Sequence, residues 1–235
     1  MTFATSRPLE MGRLPGDGAR SVYPMQPDTT EWASSHHAHR YLAKQDDLPH
    51  RAEGEAVFFE CLPAKVGRVL DLGTGDGRLI ALVLGVHPDA EAIGVDMSPP
   101  MLEAARGRFA GNPGIRIVEH DLNDPLPDLG RFDLIVSSFA IHHLPDERKR
   151  SLYAECFDIL EPGGVFLNLE HVSSPTERLR DAFLSGLGMT LEEEDKSNIL
   201  LDTWTQVRWL RDIGFDDADC YWKWREFALF GGVRT

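Results

Sequence analysis

The sequence has few cysteines, and they lie far apart. Its 235 residues include three, Cys61, Cys156 and Cys220, with no CxxC pair. This spacing excludes a disulfide framework and a thiolate zinc site, and it suits a reducing cytosol. The sequence also lacks the apolar core of a signal peptide and any apolar run near the roughly 18 residues of a membrane span. We therefore expect a cytoplasmic protein with no membrane association.

Positive charge is scarce as well. The formal net charge is −14, and the only notable basic stretch, ERKR at 147–150, is short and mixed in sign. An acidic surface repels phosphate backbones, so nucleic-acid binding would need a local basic patch that the sequence does not supply. The charge argues against a nucleic-acid partner, whereas a neutral or cationic small molecule would meet no repulsion.

The sequence does contain an alternation of short apolar strands and amphipathic helices. The pattern predicts strands at 68–73, 91–96, 115–121, 132–140 and 165–171, and helices at 78–87, 99–110, 146–160 and 203–215. Such an alternation predicts a parallel sheet covered on both faces, an α/β fold. Two further strand-like pieces within 218–233 have too few residues between them for a parallel crossover, so we expect the sheet to end in an antiparallel hairpin strand.

The segments outside this alternation suggest how the chain is divided. Residues 1–30 hold four prolines and few large apolar residues, which predicts a flexible N-terminal arm. Residues 31–62 have a helical pattern that Pro49 interrupts. The remainder, 63–235, is predicted to be one domain with a polar insertion at about 172–202, beyond a strand end where α/β folds build substrate sites.

A glycine-rich turn follows the first predicted strand in VLDLGTGDGRL, residues 69–79. A dinucleotide fingerprint has the spacing G-x-G-x-x-G, so that a pyrophosphate can approach the helix N-terminus. Here Gly73 and Gly75 fit, but Arg78 takes the place of the third glycine. Two carboxylates beside the turn, Asp71 among them, would repel a pyrophosphate and attract a cation. We therefore expect Asp71 to face an ammonium group.

Two more carboxylates end the next predicted strands. Asp96 lies 23 residues after Gly73, where nucleotide folds place an acceptor for the ribose hydroxyls. Asp121 ends the third strand and could accept a hydrogen bond from an exocyclic amine such as adenine N6. With Asp71, these residues describe a ligand that has an amine, a ribose and an adenine but no phosphate. That ligand is S-adenosylmethionine (SAM).

These stretches resemble the class I SAM-dependent methyltransferases. VLDLGTGDG resembles their motif I, GVDMSPPML the acidic ribose motif, HDLNDPLPDLGRFDLIVSSFAIHHL the adenine and post-strand-four motifs, and LEPGGVFLNLE the turn into strand five. The resemblance covers about residues 66–171 and the terminal hairpin. It implies a Rossmann-like three-layer αβα sandwich with a seven-stranded, mostly parallel sheet and an antiparallel last strand. It also implies methyl transfer from SAM to a small-molecule acceptor, with release of S-adenosylhomocysteine.

The motifs and the resemblance together indicate a set of cofactor-binding residues. These are Asp71, Gly73, Gly75, Asp96, Met97, Met101, Asp121, Leu122, Ser137 and His142. The resemblance further implies that residues 31–62 form a helical lid over the cofactor. Arg40, Tyr41 and Arg51 are the candidates there for binding the cofactor's carboxylate.

The candidate catalytic residues are His142, Glu170, His171 and Tyr41. Methyl transfer is an in-line displacement at a sulfonium, so the enzyme mainly aligns the acceptor and excludes water. A general base helps only where the acceptor must lose a proton. Glu170 and His171 come first because they end strand five, although each candidate can equally be a buried, hydrogen-bonded polar group.

Several alternatives remain open. Histidines within 35–40, 141–143 and 170–171 could assemble a metal site, but no ligand spacing links the three segments, and we expect no metal. The same fold also serves SAM-using enzymes of transfer-RNA or cofactor modification, and a non-catalytic SAM-binding protein would show the same motifs. We expect a monomer or a homodimer.

Overall fold

A computed structural model describes residues 48–235. The predicted arm at 1–30 and the predicted lid up to residue 47 lie outside the described residues, and so do Arg40 and Tyr41. None of the helices between residues 48 and 235 combines the length and the apolar composition of a transmembrane segment.

Seven strands form a single sheet. They are β1 (Arg68–Leu72), β2 (Glu91–Asp96), β3 (Ile115–Glu119), β4 (Phe132–Ser138), β5 (Leu160–His171), β6 (Asp216–Trp224) and β7 (Phe227–Val233). Their order across the sheet is β3-β2-β1-β4-β5-β7-β6. Strands β1 to β5 pair in parallel, whereas β7 runs antiparallel to both β5 and β6. The predicted sheet with a reversed last strand is therefore confirmed.

Helices cover both faces of this sheet. The described residues contain α1 (Arg51–Glu60), α2 (Arg78–Val86), α3 (Pro99–Arg108), α4 (Asp146–Ile159), α5 (Glu177–Gly186) and α6 (Thr203–Ile213), with a 3-10 turn at Ile141–His143. Alternate side chains of a strand point to opposite faces. Accordingly, Leu70 of β1 belongs to an apolar cluster with Tyr153 of α4, whereas Val69 packs in a second cluster with Phe58 of α1 and Ile80 of α2. The result is the expected three-layer sandwich.

Several element boundaries differ from the predicted ones. Strand β4 ends at Ser138 rather than at residue 140, because Phe139 has a left-handed backbone with φ 51° and leaves the strand. Strand β5 begins at Leu160, directly after α4, instead of at residue 165. Its pairing with β4 shifts between Phe132 and Leu134, so the EPGG residues bulge out of the sheet and do not form a separate turn.

Candidate functional site

The carboxyl ends of the central strands open onto a cleft with about 920 Å³ of empty space, its open mouth included. The cleft lies where β1 and β4 are neighbours and the strand order changes direction, which is the usual ligand position in an open α/β sheet. Of the ten predicted cofactor-binding residues, the cleft is lined by Asp71, Gly73, Gly75, Asp96, Met97, Met101, Asp121 and Leu122.

The glycine turn brings its backbone close to the opposite side of the cleft. Gly73 has a φ of +67°, and a Cβ atom there would lie 2.2 Å from the Cβ of Ala140. Gly75 has a φ of +54° and faces open space, because a Cβ there would meet nothing closer than the Met101 sulfur at 4.0 Å. Gly73 is therefore required by both backbone and space, and Gly75 by the backbone.

Asp71 lies on the floor of the cleft and is almost completely buried. Its Oδ2 accepts a hydrogen bond of 2.7 Å from the Thr74 hydroxyl. Burial first, and then the nearby carboxylates of Asp96 and Asp76, raise the pKa of Asp71 to about 7, against the effect of the Thr74 hydrogen bond. A positively charged group in the cleft would favour the ionised form of Asp71.

Asp96 joins the two loops at the cleft. Its Oδ2 accepts from the Gly75 backbone N–H at 2.8 Å, and its Oδ1 accepts from the Ser98 N–H at the same distance. Each carboxylate oxygen can accept a further hydrogen bond. Burial raises the pKa of Asp96, and these hydrogen bonds oppose that effect. Ser98 occupies the capping position before α3, but its hydroxyl makes no capping hydrogen bond, and Pro99 begins the helix.

Two arginines also line the cleft. Arg51 donates to Glu55 at 2.9 Å, and Arg78 donates to both oxygens of Glu55 at 2.8 and 3.0 Å. Burial alone raises the pKa of Glu55, but the hydrogen bonds from Arg78 and Arg51 outweigh it and hold the pKa below its usual value. The sequence predicts Arg51 as a contact for the cofactor's carboxylate, whereas Arg78 enters there only as a departure from the glycine fingerprint.

The third loop of the cleft, residues 121–124, is stabilised by hydrogen bonds within the loop and from Arg148. Asp121 accepts from the backbone and the side-chain amide of Asn123, both at 2.9 Å. Arg148 donates to the backbone carbonyls of Leu122 and Asp124 at 2.6 and 2.8 Å. Sequence reasoning missed Arg148, because the ERKR stretch was considered only as a possible basic patch for nucleic acid. Its role depends on the packing of α4 against the loop, which has no local signal.

Two of the predicted cofactor contacts do not line the cleft. The Ser137 hydroxyl is buried and donates to the Leu72 carbonyl at 2.8 Å, and the neighbouring Ser138 lines the cleft instead. Likewise, His143 lines the cleft and His142 does not. The buried Ser138 Oγ and His120 Nε2 have no hydrogen-bond partner within residues 48–235, so a ligand with polar groups could bind both.

Three of the predicted catalytic candidates lie close together outside the cleft lining. His142 Nδ1 lies 2.5 Å from Glu170 Oε1, and the backbone N–H of His171 donates to the same oxygen at 2.8 Å. His171 Nε2 lies 3.1 Å from Glu226 Oε2. None of His142, Glu170 and His171 lines the cleft, so a role in catalysis stays a prediction, as it does for Tyr41.

His143 connects this buried group to the cleft. Its ring centre lies 4.0 Å from that of His142, and its Nδ1 lies 2.9 Å from the Ser197 hydroxyl oxygen. Burial lowers the pKa of His143 well below its usual value, and His142 lowers it further. His143 is therefore uncharged near neutral pH. It was not among the predicted site residues, because IHH does not show which histidine faces the cleft.

The chain is similar to known proteins over the segment that supplies most of the cleft lining. Residues 69–164 match the family described as a methyltransferase domain. The chain is 35% identical over 138 residues to a demethylmenaquinone methyltransferase of Thermus thermophilus, covering 58% of this chain and 60% of the relative. It is 37% identical over 135 residues to a trans-aconitate 2-methyltransferase of Methylobacterium radiotolerans, covering 56% and 50%. The chain therefore spans between half and three fifths of the length of these relatives.

Solved structures share the fold. An O-methyltransferase family protein from Burkholderia thailandensis superposes with a TM-score of 0.70 at 20% identity, covering 89% of this chain and 63% of that one. Human N-acetylserotonin methyltransferase in complex with SAM gives a TM-score of 0.64 at 18% identity, covering 88% and 58%. The likeness at this level of identity concerns the fold, and it confirms the Rossmann-like architecture.

Proposed function

Because the chain contains a class I SAM-dependent methyltransferase domain, we propose that it transfers the methyl group of SAM to a small-molecule acceptor and releases S-adenosylhomocysteine. The observation that carries this proposal is the charge arrangement of the cleft. Asp71 and Asp96 lie beside the glycine turn, and Arg51 and Arg78 line the same cleft. Such a cleft is complementary to a ligand that carries both positive groups and a carboxylate.

The residues of the cleft fit SAM group by group. Asp71 would take the ammonium, Arg51 and Arg78 the carboxylate, Asp96 the ribose hydroxyls and Asp121 the adenine amine. The partnerless Ser138 Oγ and His120 Nε2 offer further polar contacts. When bound, SAM supplies a methyl group on a sulfonium, which is already a good electrophile. The protein then has to align the acceptor with that methyl group and exclude water.

His143 is our candidate for the proton acceptor where the acceptor molecule must lose a proton. It lies on the cleft wall, and burial keeps its imidazole uncharged because its pKa is lowered. Ser197 beside its Nδ1 helps to orient the ring. The contact between His142 and Glu170 holds the 3-10 turn that carries His143, which makes this pair positioning residues in our proposal.

We propose that the acceptor is neutral or cationic. The net charge of −14 and the buried carboxylates of the cleft oppose an anionic acceptor and a nucleic acid. The names of the relatives supply two acceptors for a direct comparison, a demethylmenaquinone analogue and trans-aconitate. We expect turnover with the uncharged quinol and none with the tricarboxylate.

The test combines binding and turnover. We expect calorimetry to detect binding of SAM, and Asp96→Ala to weaken it by about 10- to 100-fold, because hydrogen bonds to a charged acceptor are worth about 1.5–3 kcal/mol. Asp212→Ala, at an exposed position on α6, is the matched control and should leave affinity unchanged. Near-native affinity of Asp96→Ala would count against the cofactor assignment. Tight SAM binding with no S-adenosylhomocysteine formed from any acceptor would instead favour a non-catalytic SAM-binding protein.

A further inference from the structure

A second group of ligand-binding side chains lies outside the cleft. One donor atom each from His171, Glu194 and Glu226 lie within 4.8 Å of one another. His171 ends β5, Glu194 comes from the segment between α5 and α6, and Glu226 from the turn between β6 and β7. These residues are far apart along the chain, so the fold alone brings them together.

All three side chains are largely removed from solvent. The exposed fraction of the side chain is 12% for His171, 8% for Glu194 and 0% for Glu226. Burying a carboxylate is costly unless a charged or hydrogen-bonding partner compensates it. His171 compensates Glu226 in part, since its Nε2 lies 3.1 Å from Glu226 Oε2. The Arg180 guanidinium contacts the other carboxylate, that of Glu194.

Glu194 offers a donor atom that the protein leaves unused. One of its oxygens, Oε2, accepts a hydrogen bond from the Arg180 guanidinium. The other, Oε1, is buried and has no hydrogen-bond partner within the described part of the chain. An unpaired buried carboxylate oxygen needs a partner. Together with the two neighbouring donors, it makes this group a candidate cation site.

We propose that His171, Glu194 and Glu226 form a binding site for a divalent first-row transition-metal ion, with Zn²⁺ as the probe. One imidazole nitrogen and two carboxylates suit Zn²⁺ and its neighbours in the series, whereas Mg²⁺ and Ca²⁺ prefer oxygen ligands alone. Bonds of about 2.1 Å place two donors on one ion roughly 3 to 3.4 Å apart. The 3.1 Å between His171 Nε2 and Glu226 Oε2 already fits this spacing. The Glu194 donor atom lies within 4.8 Å of the other two and has to move closer to complete the set.

The surroundings of the site hold its ligands in place. Arg180 binds one oxygen of Glu194, and the Glu170 carboxylate accepts the backbone N–H of His171 at 2.8 Å. Such outer contacts orient metal ligands in proteins. Three protein ligands also leave a coordination position for water or another oxygen. The ion would connect the segment 187–202 to the end of β5. The His171 ring contacts the His142 ring, which in turn contacts His143 in the cleft lining.

Calorimetry with Zn²⁺ on the chelator-treated full chain, without SAM, tests this site directly. We expect one ion per chain to bind at this site, with proton release, since metal ligands must be deprotonated. His171→Ala, Glu194→Gln and Glu226→Gln should each lower the affinity by at least about 100-fold, more than is usual for an outer-shell change. His87→Ala and the exposed Glu192→Gln lie outside the group and should bind like the wild type.

Two further measurements distinguish this site from Zn²⁺ binding elsewhere on the chain. The histidines at 36, 37 and 39 are replaced together by alanine, and this variant should retain the ion. Excess Zn²⁺ should raise the Tm of the wild type but not that of Glu226→Gln or Glu194→Gln, with melting in chelator as the folding control. The proposal is overturned if the chelated wild type binds no Zn²⁺, if the three substitutions leave the affinity unchanged, or if the ion is lost with the histidines at 36–39. None of these results depends on SAM, so they are independent of the proposed activity.

Discussion

The carboxyl-terminal edge of the sheet has two parts, the cofactor side at β1–β3 and the side that contains His143 and His171. They differ in which segments of the chain form them. On the cofactor side, Asp71, Asp96 and Asp121 stand 25 residues apart, each at or just after the end of one of the first three strands. On the other side, His143 and His171 meet partners from residues 194–197 and from Glu226. A regular β-α repeat therefore specifies the first half. The second half depends on where a long insertion and a distant hairpin pack.

The electrostatics of the two halves differ as well. Asp71 and Asp96 are buried with raised pKa values and without an arginine or lysine hydrogen-bonded to either carboxylate in residues 48–235. Glu194 and Glu226, in contrast, contact Arg180 and His171. Asp71 and Asp96 of the cofactor half thus favour a cationic ligand, whereas Glu194 and Glu226 of the other half already have a basic partner. Each of the following predictions tests one side of this contrast.

The largest effect is expected at the glycine turn. Gly73→Ala places a Cβ 2.2 Å from the Ala140 Cβ on a backbone with φ +67°. We expect a loss of about 2–4 kcal/mol in the free energy of unfolding, from backbone strain and overpacking, together with loss of measurable SAM binding. Denaturant unfolding and calorimetry check both. Gly111→Ala, at φ +86° with open space, should cost about 1–2 kcal/mol and leave SAM affinity intact.

The next effect is a pH dependence caused by Asp71. Its pKa of about 7 in the free protein means that a cationic ligand, which requires the carboxylate, must displace a proton at lower pH. SAM affinity should fall by up to about tenfold per pH unit below pH 7, and it should also fall above about pH 8 as the ligand's amine deprotonates. Calorimetry across pH 5.5–8.5 measures this.

The same carboxyl group gives a matched stability test with Asp71→Asn. A raised carboxyl pKa favours the protonated native state, so without ligand the wild type should lose stability as the pH rises from about 4 to 7. Asp71→Asn should lack that part of the loss and should bind SAM more weakly at pH 8, with no slope below pH 7. An unchanged slope in this variant would assign the titration to another group.

On the other side of the comparison, Lys149 ties the insertion to α4. Its buried ammonium donates to Asp146 at 2.9 Å and to the Ile199 carbonyl at 2.6 Å. Lys149→Met should cost about 1–3 kcal/mol in unfolding free energy, because a buried carbonyl loses its partner. Hydrogen exchange at residues 195–200 should accelerate, while SAM affinity stays within about twofold. Lys196→Met, at an exposed position, is the control, and equal effects of the two variants would contradict the assignment.

The smallest effect separates two neighbouring serines. Ser138→Ala removes a buried hydroxyl that has no protein partner among the described residues, so it should lower SAM affinity by about 2- to 10-fold with little change in stability. Ser137→Ala breaks the bond to the Leu72 carbonyl and should cost about 1 kcal/mol of stability with little change in affinity. The opposite pattern would restore Ser137 as the cofactor contact.

These contrasts also mark the reach of sequence reasoning. The parallel sheet, its reversed last strand and the cleft-lining Asp71, Gly73, Gly75 and Asp96 followed from periodicity and motif spacing, because each of these residues stands next to the strand that positions it. Ser137 and His142 were each displaced by one residue. The exact residue at which a strand ends decides which of two successive side chains faces a cleft. Strand β4 ends where Phe139 adopts a left-handed backbone, and no sequence signal predicts that conformation.

Local pattern by itself determined the α/β sheet, the glycine turn and the row of carboxylates, because a residue's distance from its own strand is a local quantity. Only the tertiary structure decided that Arg148 holds the third loop, that His143 faces the cleft, and that His171, Glu194 and Glu226 come together. Arg148 and Leu122 are 26 residues apart along the chain, and His171 and Glu226 are 55 apart. The geometry of these contacts depends on how helices and the hairpin pack on the sheet, which no single stretch of the chain encodes.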